Sequence, residues 1–147
     1  MISIVGLGNA ATAIVEKFKE VPQYSVYVMN DKVARNSKYK FKLKAYDHPE
    51  LYEKHIPDVK KFLDNTEDHI QFFVVGGSYS SNYSLGILEQ IKDKKVDVVY
   101  IKPDTELLTG YPVLIENAVF GVLQEYARSG MFNSMTIVSN LNLENCL

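Results

Sequence analysis

The stretch MISIVGLGNAATAIVEKF, residues 1–18, decides the fold. An apolar run from Ile2 to Val5 is followed by Gly6 and Gly8, and the apolar residues after them recur at helical spacing. A short apolar run that ends at a glycine is typical of a buried strand, and the change of period indicates that a helix begins directly after the turn. The opening of the chain therefore predicts the first strand–turn–helix unit of a βα sheet.

The same alternation continues along the chain. Further strands are predicted at Ser25–Met29, Lys38–Tyr46, Ile70–Val75, Val96–Ile101 and Met135–Val138. Helices are predicted at Asn9–Glu20, Pro49–Leu63 (interrupted at Pro57, which suits a first-turn position), Tyr83–Lys92 and Val113–Ala127. Short crossovers between strands favour parallel neighbours. We expect one α/β domain over residues 1–147, with a doubly wound, mainly parallel six-stranded sheet of the Rossmann-like type.

One helix carries a prediction about which side is buried. In the helix at Val113–Ala127 we expect the apolar face to point inward. Its members are Leu114, Ala118, Gly121, Val122 and Tyr126.

Composition limits the partners. The formal net charge is −2, and only Arg35 and Arg128 among the basic residues are arginines, so duplex nucleic acid and bidentate phosphate recognition are disfavoured. Cys146 is the single cysteine, and the three histidines are irregularly spaced, so neither a disulfide framework nor a metal site is expected. No apolar run reaches the length of a membrane helix. We expect a cytoplasmic protein.

A lysine-rich segment is the one candidate for nucleic acid. Lysines alternate with apolar residues in KYKFKLKAY at positions 38, 40, 42 and 44. Lys38, Lys40, Lys42 and Lys44 form either a basic ribbon for an anionic partner or the solvated face of an edge strand, which also opposes aggregation. We favour the second interpretation.

Two polar turns follow buried strands, where open parallel sheets bind ligands. The first, G-x-G-x-x-A, comprises Gly6, Gly8, Asn9, Ala10 and Ala11. It fits phosphate binding, or tight strand-to-helix packing alone. The second contains Gly76, Gly77, Ser78, Tyr79, Ser80, Ser81 and Asn82. It is either a second phosphate contact or an ordinary helix start with Ser81 or Asn82 as the N-cap.

These turns, with other marks in the same order, resemble the nucleotide-binding half of tubulin and of the bacterial cell-division GTPase FtsZ. The marks are Gly8-Asn9-Ala10, Asn30-Asp31, His48-Pro49-Glu50, Gly76–Asn82, Lys102-Pro103, Ala118–Gly121 and Asn140. The resemblance implies a guanine nucleotide with its phosphates between the two turns. It places the ribose near Asn30, Asp31 or Glu106.

The departures from that family imply a reduced activity. Side chains at Ser78, Tyr79, Ser80 and Asn82 replace small or glycine residues of the family signature and restrict the backbone. The long central helix and the second domain, which supplies an acidic loop to the neighbouring subunit, are expected to be absent. We therefore expect GTP or GDP binding to be weak or lost and hydrolysis to be inefficient.

Three functions remain open. The first is a reduced tubulin-like module for self-assembly or binding of a protein partner, to which rim tyrosines such as Tyr79, Tyr83 and Tyr111 would contribute. The second is a GTP- or GDP-binding regulatory or structural protein. The third is an NAD(P)-binding Rossmann domain, in which Gly6, Gly8 and Ala11 form the fingerprint and Asp31 accepts the ribose hydroxyls.

Overall fold

The computed structural model describes residues 1–104 and 108–139. These residues form one six-stranded sheet with parallel neighbours throughout, in the order β3-β2-β1-β4-β5-β6. The strands are β1 (Ile2–Leu7), β2 (Tyr24–Asn30), β3 (Lys40–Lys42), β4 (His69–Val75), β5 (Lys95–Lys102) and β6 (Ser134–Ser139). The helices are α1 (Asn9–Val15), α2 (Pro49–Lys54), α3 (Lys60–Asp64), α4 (Ser84–Gln90) and α5 (Tyr111–Ser129), with 3₁₀ segments at Glu16–Phe18 and Tyr79–Tyr83. The predicted parallel, doubly wound α/β sheet is confirmed.

The two faces of the sheet are covered unequally. Helix α1 covers one face, where Ala11 and Val15 pack against Ile4 and Phe73. Helices α2 to α5 all contribute to the larger apolar cluster on the other face. The central strands are therefore buried on both sides, which is why β1 and β4 are almost continuously apolar.

The connection from β2 to β3 contains no helix, and β3 is much shorter than predicted. Only Lys40–Lys42, rather than Lys38–Tyr46, pairs as a strand. The outer edge of β3 is closed by its own loop, because the Lys42 N–H donates to Asn36 Oδ1 at 2.7 Å and the Ser37 N–H donates to the Lys40 carbonyl at 2.8 Å. The lysines thus border a protected edge rather than a long ribbon.

The segment predicted as one helix from Pro49 to Leu63 forms two. Pro49 begins α2, as a residue without an N–H can, but Pro57 lies in the connection and not in a first turn. Gln90 holds this connection: its Nε2 donates to the Pro57 carbonyl at 2.9 Å and its Oε1 accepts from the Val59 N–H at 2.9 Å.

Helix α5 is rotated relative to the prediction. Ile115, Val119 and Leu123 face the core, whereas Leu114 is 63% exposed and Val122 is 37% exposed. Ala118 and Gly121 are exposed as well, and Tyr126 is half-buried. Two apolar stripes exist on this helix. The rotation is fixed by the buried Glu116, which accepts hydrogen bonds from the Tyr100 hydroxyl and from Lys102 Nζ on β5.

Within the ranges 1–104 and 108–139, none of the helices combines the length and the apolar character needed to cross a lipid bilayer.

Candidate functional site

A cleft opens at the carboxyl ends of β1 and β4, where the strand order reverses direction. Its volume is about 280 Å³. It is lined by Gly8, Asn9, Ala10, Asp31, Leu43, Lys44, Ala45, Tyr52, Ser78, Tyr79, Ser80 and Tyr83. Such a switch point is where open α/β sheets bind ligands, because two neighbouring crossovers leave it on opposite faces. We call it the switch-point cleft.

The first glycine turn is fixed on both sides. A Cβ on Gly6 would lie 2.7 Å from Val15 Cγ2, so glycine allows α1 to pack against β1. Gly8 has φ +92°, a conformation that favours glycine. Its N–H donates to the Met29 carbonyl at 2.7 Å, and its carbonyl accepts from Thr12 Oγ1 at 2.7 Å. The turn is therefore tied to β2 and α1, and it borders the cleft.

In the second turn, polar side chains donate hydrogen bonds to backbone carbonyls within the turn and at the end of β4. The Ser78 hydroxyl donates to the Val75 carbonyl at 2.7 Å, and the Ser81 hydroxyl donates to the Ser78 carbonyl at 2.6 Å. Asn82 Nδ2 donates to the Tyr79 carbonyl at 2.8 Å. Neither Ser81 nor Asn82 caps α4: both lie inside the Tyr79–Tyr83 3₁₀ segment, and α4 begins at Ser84 without a side-chain cap.

The two turns touch at one point. A Cβ built on Gly8 would overlap the Ser80 hydroxyl and come within 3.3 Å of Ser80 Cβ. Ser80 therefore sits over the first turn. The close approach requires glycine at position 8 and narrows the cleft between the turns.

The end of β2 carries two polar residues with different roles: Asn30 is hydrogen-bonded within the protein, and Asp31 faces the cleft. Asn30 is buried: its Nδ2 donates to Thr12 Oγ1 at 2.9 Å, and its Oδ1 accepts from the Lys32 and Val33 N–H groups at 2.9 Å each. The half-buried Asp31 lines the cleft, and its Oδ1 accepts from Asn9 Nδ2 at 2.7 Å. Asn30 shapes the loop, whereas Asp31 presents a carboxylate to the cleft.

Buried tyrosines close the floor of the cleft. Desolvation by burial raises the pKa of Tyr83 and of Tyr52. Their hydroxyls donate to the carbonyls of Lys44 at 2.7 Å and Tyr46 at 3.2 Å, respectively. These hydroxyls hold the segment after β3 in place and stay protonated at neutral pH.

A larger cavity lies beside the cleft, on the α1 face of the sheet. Its volume is about 580 Å³. It shares Asn9 with the cleft and is bordered by three cations, Lys32, Arg35 and Lys40. Glu16 also borders it and pairs with Lys19 at 3.4 Å. The cavity occupies the place beneath the helix-free β2–β3 connection.

The predicted site residues separate into four groups. Gly8, Asn9, Ala10, Asp31, Ser78 and Ser80 line the cleft. Gly6, Gly76 and Gly77 make the turns that support it, with Gly77 at φ +80°. Asn30, Ser81 and Asn82 are buried. Glu106 lies outside the described residues, as does Asn140.

Sequence reasoning missed the cleft residues that come from the segment after β3. Leu43, Lys44 and Ala45 line the cleft, and Tyr52 on α2 completes it. The apolar–basic alternation of this segment was interpreted as a strand. The bend after β3, which brings these residues to the cleft, was therefore not predicted. Arg35 at the larger cavity was also missed. The glycine-free polar loop between two strands was the available signal.

In the described part of the chain, no three His, Cys, Asp or Glu side chains cluster closely enough to hold a metal ion.

Comparisons with known proteins support the fold. No protein-family model matches the sequence, and no curated protein sequence matches it. Among solved structures, a short chain dehydrogenase family protein from Francisella tularensis subsp. tularensis SCHU S4 is similar at a TM-score of 0.53 and 15% identity. That match covers 87% of this chain and 63% of the other, less than two thirds of its length.

A short-chain dehydrogenase/reductase from Burkholderia vietnamiensis is similar at a TM-score of 0.52 and 9% identity, covering 94% of this chain and 82% of the other. At these identities the similarity establishes a Rossmann-like fold.

The resemblance to tubulin and FtsZ is wrong. Both solved structures described above are short-chain dehydrogenases. Glycine is favoured wherever a parallel strand turns tightly into a helix, so the two glycine turns did not discriminate between families. The second turn also differs physically from a phosphate cradle, because its hydroxyls bind its own carbonyls.

Proposed function

We propose that the chain binds a nicotinamide dinucleotide, NAD(H) or NADP(H), at the switch-point cleft. One observation carries the proposal: the glycine turn that ends β1 and the Asp31 carboxylate that follows β2 line the same cleft, at the point where the strand order reverses. In dinucleotide-binding sheets the turn after the first strand approaches the pyrophosphate, and a carboxylate after the next strand accepts hydrogen bonds from a ribose diol. Because Ser80 fills the space beside the Gly8 Cα, the pyrophosphate would contact this turn at Asn9 and Ala10.

The surroundings of the cleft support an extended anionic ligand. The cleft, at about 280 Å³, holds only part of a dinucleotide. The adjoining cavity of about 580 Å³ offers further space, and Lys32, Arg35 and Lys40 give its border a positive charge. Lys44 lies on the other side, in the cleft itself. Cations on both sides of Asp31 favour a ligand with several negative groups.

The proposal concerns binding and assigns no reaction. The Tyr52 and Tyr83 hydroxyls donate to backbone carbonyls, and burial raises their pKa values. Neither is placed to exchange a proton with a substrate. The part of the cleft that the described residues build therefore supports recognition of the cofactor.

The test is a calorimetric titration of the chain with NADH, NADPH, GTP and ATP. We expect NADH to bind and Asp31→Asn to weaken NADH binding by about tenfold or more, because the neutral amide cannot accept hydrogen bonds from both ribose hydroxyls. NADPH carries a phosphate in place of the 2′-hydroxyl, so the Asp31 carboxylate should make it bind less tightly than NADH. The amide oxygen can still accept the Asn9 hydrogen bond, so the loop should keep its shape.

The matched control is Asp93→Asn, an exposed residue in the turn before β5, at the amino edge of the sheet. It should leave the affinity unchanged. Binding of GTP alone, no binding of either dinucleotide, or equal affinity of Asp31→Asn and the unchanged chain would refute the proposal.

A further inference from the structure

A groove between α2 and α5 lies next to the switch-point cleft. Tyr79 lines the cleft, and its ring packs edge-on against Tyr111, which lines the groove. The volume of the groove is about 260 Å³. Pockets for drug-sized ligands usually measure about 300 to 1,000 Å³, so a ligand of this groove would be small. We call it the α2–α5 groove.

The wall that α5 supplies is apolar. Leu114, Ile115 and Ala118 line it within about one turn of the helix. The rings of Tyr111 and His48, whose centroids lie 5.2 Å apart, add aromatic surface. Leu114 is 63% exposed, so a ligand in the groove would remove apolar area from water. This wall suits the hydrocarbon body of a ligand.

The wall that α2 supplies is acidic. Glu50 and Glu53 line it, and their spacing of three residues places both on the same side of the helix. Neither forms an ion pair with a cationic side chain of the described residues. Glu53 lies near the carboxyl end of α2, where the helix dipole disfavours a negative charge. Helix stability therefore does not account for this acid.

A buried amide adds a further acceptor to the groove. Asn82 is 6% exposed, and its Nδ2 donates to the Tyr79 carbonyl at 2.8 Å. Among the described residues none donates a hydrogen bond to Asn82 Oδ1, and this oxygen is not sealed from solvent. Since Asn82 lines the groove, its Oδ1 opens there. A buried amide that leaves its acceptor free points to a donor on a ligand.

We infer that the α2–α5 groove binds a small primary amine in its protonated form. A primary ammonium has three N–H donors and no acceptor, and the groove offers the two carboxylates and the Asn82 amide oxygen. The described lining residues include no lysine or arginine, and the Tyr111 ring provides a face for a cation. The hydrocarbon body of the amine covers Leu114. An anion would be repelled by the two carboxylates.

Calorimetric titration with n-hexylamine hydrochloride tests the inference, with 1-hexanol and sodium hexanoate as probes that carry the same stem. We expect hexylamine to bind with a dissociation constant of about 1 mM or lower, and at least about tenfold more tightly than either other probe. The reason is that only the ammonium pairs with the acidic wall. No binding of hexylamine, or equal binding of 1-hexanol, would overturn the inference.

Charge variants locate the ammonium. Glu53→Gln should weaken hexylamine binding by about fivefold or more, because a charge-assisted hydrogen bond is lost. The matched control is Glu89→Gln, which removes the charge of an exposed glutamate near the end of α4, outside the groove. It should leave the affinity unchanged. Equal affinity of Glu53→Gln and the unchanged chain would contradict the inference.

Size variants locate the hydrocarbon body. Ala118→Leu fills part of the groove without changing a charge, and it should weaken hexylamine binding by about fivefold or more. Gln124→Leu places the same side chain at another exposed position of α5, outside the groove, and should have no effect. Both positions are on the surface of a helix that tolerates leucine, so both variants should fold. An unchanged affinity of Ala118→Leu would place the amine elsewhere and overturn the inference.

A lysine side chain of a partner protein would present the same ammonium on a four-carbon stem. Nα-acetyl-lysine methylamide, titrated in parallel, distinguishes this source from a free amine. It should bind more weakly than hexylamine, because its peptide groups would lie against the apolar wall. Tighter binding of the lysine derivative would overturn the assignment to a free amine. The titrations contain no nucleotide, so their outcome is independent of dinucleotide binding.

Discussion

The two glycine turns of the sheet look alike in sequence but differ in where their polar groups point. In the turn after β1, the backbone is tied to β2 and α1, and Asn9 and Ala10 remain at the cleft. In the turn after β4, hydroxyl and amide groups from Ser78 to Asn82 bind carbonyls within the same few residues. The first turn therefore presents a surface to a ligand, whereas the second mainly stabilises itself.

The difference shows what a glycine pair does and does not imply. In each turn the first glycine allows close packing and the second adopts a positive φ. Both features are needed to turn a strand into a helix tightly, with or without a ligand. The ligand-binding character depends on which side chains are left without an intramolecular partner, and this is a property of the folded turn.

The largest expected loss of stability comes from adding a Cβ at the first glycine of the second turn. A Cβ on Gly76 would overlap the Tyr100 hydroxyl and come within 2.7 Å of Glu116 Oε2, and both of these side chains are buried. Gly76→Ala should cost about 3 kcal/mol of unfolding free energy in urea denaturation. Gly121→Ala, with nothing within 4 Å, is the control and should not destabilise.

Disturbing the contact between Gly8 and Ser80 should give the next largest loss of stability. Gly8→Ala forces a φ of +92° on alanine and pushes a Cβ into the Ser80 hydroxyl, which should cost about 2 kcal/mol. In a Ser80→Ala background the overlap with oxygen disappears, and the backbone strain and the 3.3 Å approach to the Cβ of residue 80 remain. A double-mutant cycle measured by thermal unfolding should therefore show coupling of about 1 kcal/mol. Strict additivity would mean that the turns do not touch.

Acid unfolding tests whether both turns belong to one cooperative unit. Asp97, at the amino edge, is partly buried, which by itself raises its pKa, but hydrogen bonds from Asn133, Ser134 and His69 lower the pKa to about 2. A lowered folded pKa gives stability that is complete above the unfolded value of 3.8 and is lost as the pH falls to about 2.

The loss should be about 1 to 2 kcal/mol, and Asp97→Asn should abolish most of this pH dependence. The measurement is urea unfolding at a series of pH values, followed by hydrogen exchange at both turns. Different transitions at the two turns would argue against a single unit.

The smallest effect distinguishes two neighbouring serines of the second turn. The buried Ser81 hydroxyl donates to the Ser78 carbonyl at 2.6 Å, so Ser81→Ala should cost about 1 kcal/mol. Ser80 lines the cleft, and Ser80→Ala should change stability by less than about 0.5 kcal/mol. Thermal unfolding of the two variants checks the order. Equal losses would mean that the second turn also depends on Ser80 for its stability.

The sequence was a good guide where one physical pattern dominated. The buried runs at Ile4 and Phe72 predicted central parallel strands, because residues buried on both sides must be apolar. It was a poor guide at the sheet edge, where Lys38–Tyr46 alternates like a strand but only three residues pair. The competing hydrogen bond from Lys42 to the Asn36 side chain could not be read from the pattern.

The candidate site was predictable in its position and not in its composition. Gly8 and Asp31 were identified from their place after strands, and both line the cleft. Lys44 and Tyr52 reach it only because the chain bends after β3, and Arg35 borders the adjoining cavity because the β2–β3 connection contains no helix. The family assignment failed for a related reason: the same strand-end motifs serve several nucleotide-binding folds.

The amino-acid sequence alone determined the strand–helix alternation, the parallel sheet and the two glycine turns at its carboxyl edge, because hydrophobic period and glycine conformation are local properties. Only the tertiary structure decided which hydroxyls donate to carbonyls of their own turn. It also decided which apolar residues of α5 face the core. A buried carboxylate at Glu116 settled the second point by requiring partners on β5. Such choices depend on atoms distant in sequence, and a one-dimensional pattern does not record them.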